Sequence, residues 1–300
     1  MNEHGSPRFG RVLTAMVTPF TDDGALDLDG AQELAKYLVE HGNDGVIVAG
    51  TTGESATLTI EEQLHLIRAV REAIPDHHLI AGAGSNDTRS AMANTEKATQ
   101  AGADAILSVT PYYNRPSQAG LDAHFRAVAS ATDLPIVIYD IPVRTGRKVS
   151  TETLLELFEV DNIVAVKDAA GSPAATADLM RRAPDEIDLY SGDDSLTLPF
   201  MAVGGCGVIG VATHWIGAEM NEMISAFFDG RVTDARDLNA RLIPSFSFET
   251  TDDAPNPQPT KTMLGLLGLP AGPCRAPMGF PPPDLVDRAR AVLDELGRCV

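Results

Sequence analysis

Short apolar runs rich in Val and Ile recur along the chain, at Leu13–Val17, Gly45–Ala49, Leu79–Gly82, Ala105–Val109, Ile136–Tyr139, Ile163–Val166, Leu189–Ser191 and Gly207–Val211. Their starts lie mostly about 25–35 residues apart, the length of one strand, one helix and two loops. The segments between them, such as LDGAQELAKYLVEHG, EEQLHLIRAVREAI and LDAHFRAVASAT, have the apolar spacing of amphipathic helices. Near-continuous apolar strands predict a sheet covered on both faces, and alternation with helices makes that sheet parallel. Eight such units predict an α/β fold, a (β/α)8 TIM barrel. A doubly wound open sheet is the alternative, because spacing alone does not show closure. The barrel is expected over residues 1–230, carrying the active site. A C-terminal helical extension is expected over 231–300, made of RVTDARDLNARLIPSFSF and PPDLVDRARAVLDELG joined by ordered Pro-rich crossing loops.

Composition narrows the function classes. At 44% hydrophobic and 22% charged, the chain has material for a large core and none of the bias of a disordered one. A formal charge of −19, from 42 acidic residues against 23 basic, argues against nucleic acid or an anionic membrane as partner, since both need a basic face. The uncharged stretch Ser195–Ala218 is long enough to span a bilayer, but Pro199 and its glycines divide it into a short buried helix and a buried strand. Cys206, Cys274 and Cys299 are odd in number and far apart, which predicts neither a disulfide framework nor a zinc knuckle. The first residues lack a basic region followed by a sustained apolar one, so a cytoplasmic protein without signal peptide is expected.

In a barrel, polar residues at the C-terminal ends of strands are the ones to suspect, because the βα loops form the active-site face. The second unit ends AGTTGES, with Thr51 and Thr52 between glycines. The fourth ends VTPYYN, with Tyr112 and Tyr113. The fifth ends IYDIPVRTG, with Tyr139 and Arg144, and the sixth ends VAVKDAAG, with Lys167. A lysine after Ile163–Val166 sits where burial lowers an ammonium pKa, and a neutral lysine can form a Schiff base with a ketone. Pairing with Asp168, or extension of the side chain out of the strand end, is the structural alternative. The threonines read either as a tight turn or as an anion cradle. Tyr139 reads as a core residue or a proton carrier, and Arg144 as a surface residue or a carboxylate clamp. The histidines make no HExxH or HxH pattern, which gives a metal site little support. The GxGxxG formed by Gly205, Gly207 and Gly210 falls within a strand instead of between strand and helix. Without a metal, aldol-type chemistry requires the lysine imine, which favours the reactive reading of Lys167.

These motifs, together with TAMVTPF, VTPYYNRPSQ, SGDDSLTLPFMAVGGCGVIGV and PNPQPTK, resemble the dihydrodipicolinate synthase family of pyruvate-dependent class I aldolases over nearly the whole chain. The resemblance implies a barrel with a C-terminal helical extension and a homotetramer, a dimer of dimers, in which Tyr113 reaches the neighbouring subunit's site. It implies that Lys167 forms the imine with pyruvate, that Thr51 and Thr52 hold the pyruvate carboxylate, and that Thr52, Tyr139 and Tyr113 relay protons. Arg144 would recognise the carboxylate of L-aspartate 4-semialdehyde, and Gly192 and Ile209 would line the pyruvate pocket through backbone atoms. No cofactor is implied beyond the covalent imine, and no metal. N-acetylneuraminate lyase and the 2-keto-3-deoxy acid aldolases or dehydratases share the lysine chemistry, but Arg144 and the Tyr112–Tyr113 pair favour the synthase. A dead-site barrel acting as a scaffold is the reading from another class, and retention of every polar residue named argues against it. Relatives inhibited by L-lysine bind it through two histidines and a glutamate. Here Ile60, Gln63 and Ser90 stand at those positions, while Asn86 and Tyr112 remain, so weak or absent inhibition is expected.

Overall fold

The computed structural model describes residues 6–298. Eight parallel strands close into a barrel in sequence order: β1 (Val12–Ala15), β2 (Gly45–Val48), β3 (His78–Gly82), β4 (Ala105–Val109), β5 (Ile136–Asp140), β6 (Ile163–Asp168), β7 (Asp188–Ser191) and β8 (Gly207–Gly210). Helices fill the connections: α1 (Leu28–Glu40), α2 (Ile60–Ala73), α3 (Thr88–Gln100), α4 (Gln118–Ala129), the short α5 (Pro142–Thr145), α6 (Thr151–Leu157), α7 (Pro173–Arg182), α8 (Thr197–Met201) and α9 (Thr213–Phe228). Then come α10 (Val232–Phe248), α11 (Gln258–Leu266) and α12 (Leu285–Glu295). The eight predicted runs are thus the eight strands, and closure excludes the open sheet.

Local chemistry explains why the helices start where they do. Asp27, Thr59, Asp87, Ser117, Ser150 and Ser172 each precede a helix and accept a hydrogen bond from a backbone N–H in its first turn. Each such cap is worth about 1 kcal/mol. At Thr59 the cap is reciprocal, because the Glu62 carboxylate accepts from the Thr59 N–H.

Two expectations need correction. The sixth strand does not stop at Val166 but runs through Lys167 to Asp168, so the lysine at its end is itself a strand residue. The Pro-rich connection in the C-terminal extension contains α11, because Pro259 stands in its first turn, where a missing N–H costs nothing. Cys206 and Cys274 are free thiols, and Cys299 lies outside the described residues.

The chain forms two compact units: the described part of Met1–Arg11 with Leu79–Ile209, and Val12–His78 with the described part of Gly210–Val300. In the first, β4–β7 form a ladder whose residues are almost all buried, as a sheet covered on both faces requires. In the second, α10 lies along α9, where the buried Trp215 indole donates to Ser245 Oγ at 3.0 Å. No helix among the described residues is long and apolar enough to cross a membrane.

Candidate active site

Lys167 lies at the C-terminal end of β6, in register with Tyr139 of β5, and the two residues are 4% and 5% exposed. Its Nζ stands 4.4 Å from the centre of the Tyr139 ring. A cation, or a protonated imine, over that ring face is stabilised by the ring's quadrupole. Strand alternation sends Asp168 to the opposite side of the sheet. There its carboxylate accepts from the Ala170 N–H at 2.8 Å and from the Thr176 hydroxyl of α7 at 2.7 Å. Asp168 therefore belongs to the helix layer, not to the lysine's side of the sheet.

Asp140 ends β5 opposite Asp168 and accepts from the Val149 N–H at 3.2 Å. Burial holds its carboxyl up at about 7, and the neighbouring Asp168 adds to the effect. Gly192 follows β7, with its N–H donating to the Asp168 carbonyl at 2.8 Å. A Cβ at this position would lie 2.9 Å from Ala169 Cβ and 3.0 Å from Lys167 Cε, so glycine here leaves the lysine stem its path. Ile209 is fully buried in β8. The structure thus brings Lys167, Tyr139 and Gly192 together.

Arg144 lies on the short α5 directly after β5 and is exposed. Tyr113, after β4, is 90% exposed and has a backbone φ of 72°. A left-handed backbone is costly for an aromatic residue, at about 1–3 kcal/mol, and persists where surroundings fix it. No described residue of the same compact unit covers this ring.

In the second unit, Thr51 and Thr52 follow β2. Thr51 is half-buried, while Thr52 is 3% exposed and its hydroxyl accepts from Asn256 Nδ2 at 2.9 Å. The loop is tight: the Glu54 N–H donates to the Thr51 carbonyl, and the Thr18 hydroxyl donates to the Gly53 carbonyl at 2.6 Å. A Cβ on Gly53 would meet the Met16 carbonyl at 3.1 Å, so this glycine makes room for the chain's own backbone. Glu54 adopts a left-handed φ of 54°. Its carboxylate is held by Lys261 Nζ at 2.7 Å and by the Arg275 N–H at 2.8 Å. Arg275 continues to the Thr57 carbonyl and the Glu62 carboxylate.

The C-terminal partners Asn256, Lys261 and Arg275 had no place among the sequence candidates. PNPQPTK drew notice as a motif, and the one signal within it was a lysine in a stretch otherwise free of charge. Of the positions bearing on lysine inhibition, Gln63 donates to the Ser55 carbonyl and Ser90 to the Asp87 carboxylate. His214 is a core residue with both ring nitrogens engaged, by Val17 N–H and the Val211 carbonyl, and burial pushes it down to about 4. No group of three or more His, Cys, Asp or Glu among the described residues could hold a metal ion.

Comparison with known proteins adds to this geometry. Residues 8–293 match the family described as Dihydrodipicolinate synthetase family. The chain is 50% identical over 293 residues to the 4-hydroxy-tetrahydrodipicolinate synthase of Moorella thermoacetica, covering 97% of this chain and 99% of that one. Among solved structures it is similar to dihydrodipicolinate synthase from Cyanidioschyzon merolae with lysine bound, at 44% identity and a TM-score of 0.95, covering 97% of this chain and 99% of that one. It is also similar to the chloride-inhibited enzyme from Acinetobacter baumannii complexed with pyruvate, at 33% identity and a TM-score of 0.92, covering 96% and 99%.

Proposed function

This chain belongs to the dihydrodipicolinate synthetase family, and on that premise we propose that Lys167 is the nucleophile that holds pyruvate. The activity is that of a 4-hydroxy-tetrahydrodipicolinate synthase, a lyase that condenses pyruvate, as a lysine Schiff base, with L-aspartate 4-semialdehyde in the diaminopimelate route to L-lysine. The observation that carries the assignment is a lysine 4% exposed at the C-terminal end of a barrel strand, its Nζ 4.4 Å from the Tyr139 ring centre.

The neutral Lys167 amine adds to the keto carbon, and loss of water gives the imine. Protonated, the imine draws electrons from the methyl group, which loses a proton to give the enamine. The enamine carbon attacks the aldehyde, whose oxygen takes a proton. The semialdehyde's amine then adds to the imine carbon and releases the lysine, closing the ring. In this family the imine does the work of a cofactor.

In our reading Thr52, Tyr139 and Tyr113 carry those protons, and Thr51 and Thr52 hold the pyruvate carboxylate. Arg144 takes the carboxylate of the semialdehyde, and Gly192 and Ile209 offer backbone atoms to pyruvate. Hydroxyls suit the task, because a carboxylate base would stand as a fixed anion beside two carboxylate substrates. With a net charge of −19, the overall field repels both substrates, so Arg144, Lys167 and backbone amides supply the local attraction. The exposed, left-handed Tyr113 supports its reaching a neighbouring subunit, and with it a homotetramer built as a dimer of dimers. We place the enzyme in the cytoplasm.

Incubation with pyruvate and borohydride, followed by peptide mapping, tests the assignment. The reading expects a stable adduct on Lys167 that is absent from Lys167→Arg. A folded, pyruvate-saturated protein without adduct overturns it.

A further inference from the structure

We infer that Asn256 is a positioning residue for the reaction: its amide fixes the direction in which the Thr52 hydroxyl gives its proton. The inference rests on the role proposed above for Thr52, and it assigns a function to the segment that follows α10.

Asn256 Nδ2 donates to Thr52 Oγ1 at 2.9 Å, with the two residues 8% and 3% exposed. The orientation of the amide has its own support. The Thr260 hydroxyl, one helical turn along, reaches Asn256 Oδ1 at 3.5 Å, while the backbone N–H of Asn256 donates to the Thr250 hydroxyl at 3.3 Å and ties the chain down there. The oxygen side of the amide therefore faces Thr260 and the NH2 side faces Thr52. An amide NH2 only donates, so the Thr52 oxygen must accept, and its single hydrogen must point elsewhere. A hydroxyl serving a carboxylate has to be a donor. Asn256 removes the orientation in which it is not.

A second tie joins the same two segments. Glu54, two residues after Thr52, pairs with Lys261, five residues after Asn256, at 2.7 Å between side chains 2% and 3% exposed. The ion pair holds the loop in place, and the amide sets the polarity of the hydroxyl within it. The two roles are separable by chemistry. A structural staple tolerates any partner that keeps the contact, whereas a polarity device fails when donor becomes acceptor.

The test compares Asn256→Ala, Asn256→Asp and Thr52→Val in steady-state assays with both substrates, with circular dichroism and thermal midpoints confirming folding. Asn256→Asp is isosteric, but an ionised carboxylate draws the Thr52 proton toward itself. The expectation is a fall in kcat/KM for pyruvate of about tenfold for Asn256→Ala, and about a hundredfold for Asn256→Asp near pH 8. Lowering the pH should restore Asn256→Asp, because the protonated carboxyl donates again. Burial raises that carboxyl, which puts the recovery between about pH 5 and 7. Neither the parent enzyme nor Asn256→Ala should show it. Asn256→Asp that is as active as the parent near pH 8, or impaired without recovery, overturns the inference. If Asn256→Asp does not fold, Asn256→Ala decides alone: a loss in kcat/KM for pyruvate with the KM for semialdehyde unchanged supports it, and unaltered kinetics overturn it. A fully active Thr52→Val removes the reading of Thr52 itself. An impaired Thr52→Val beside a normal Asn256→Ala removes only the positioning role.

Discussion

Replacing Lys261 by methionine perturbs a deeply buried ion pair, with both side chains at most 3% exposed. Lys261 Nζ is 2.7 Å from Glu54 Oε1, donates to the Pro273 carbonyl at 2.9 Å and lies 4.2 Å from the centre of the Phe20 ring. Burial pushes the ammonium pKa down, and Glu54 pulls it back. Methionine matches the lysine stem in length, so the substitution opens little cavity. Its cost is a stranded carboxylate. Removing one partner of a buried pair costs about 3–5 kcal/mol. The Arg275 N–H still serves Glu54 Oε2 at 2.8 Å, which places the expectation near the lower end, about 3 kcal/mol. With an unfolding entropy of about 2.1 cal/mol/K per residue, a chain of 300 residues should lose about 5 °C of thermal midpoint. Scanning calorimetry at pH 7.5 measures this. Adding Glu54→Gln removes the stranded charge, so the double variant should be more stable than Lys261→Met alone. A midpoint change below about 1 °C, or a double variant less stable than the single one, refutes the reasoning.

Asp140→Asn tests the linkage at the end of β5. The folded carboxyl, held up at about 7, lies above its ordinary 3.8, so the unfolded chain loses that proton first. This group therefore lowers stability as pH rises from about 4 to 7, by about 4 kcal/mol in all, and adds no slope above. Urea unfolding at pH 5 and pH 8 should show the variant gaining on the parent at the higher pH, and equal differences at both would contradict the assignment. Gly192→Ala should cost about 1–3 kcal/mol of stability, and about a hundredfold in kcat, because its Cβ presses on Ala169 and Lys167; borohydride trapping with pyruvate should slow in parallel. L-Lysine at sub-millimolar concentration should leave a coupled assay unchanged, given Ile60, Gln63 and Ser90, and half-inhibition there would refute that reading.

The barrel was legible because its signal is periodic and repeated. Val- and Ile-rich runs at a constant beat need only a sheet covered on both faces, and all eight became strands. The end of β6 was less legible, since the apolar run stops at Val166 while the strand continues through the charged pair Lys167–Asp168. The helix α11 was hidden by prolines that a first turn tolerates. Lys167 and Tyr139 stood out by their place at strand ends and Gly192 through the family resemblance alone, and the structure groups the three. Asn256 and Lys261 could not stand out, because their meaning lies in partners found elsewhere in the chain.

The bond between Asn256 and Thr52 joins residues 204 positions apart. A nascent chain emerging from the ribosome can complete all eight strands, the last ending at Gly210, before Asn256, Lys261 or Arg275 exists. Until those last residues arrive, Thr52 has no amide to orient it and Glu54 no cation to meet its carboxylate. The strands are thus all synthesised ahead of the partners of the turn that follows β2. The turn after β2 takes its amide and its cation from the tail of the polypeptide, which makes its final geometry a late event in synthesis.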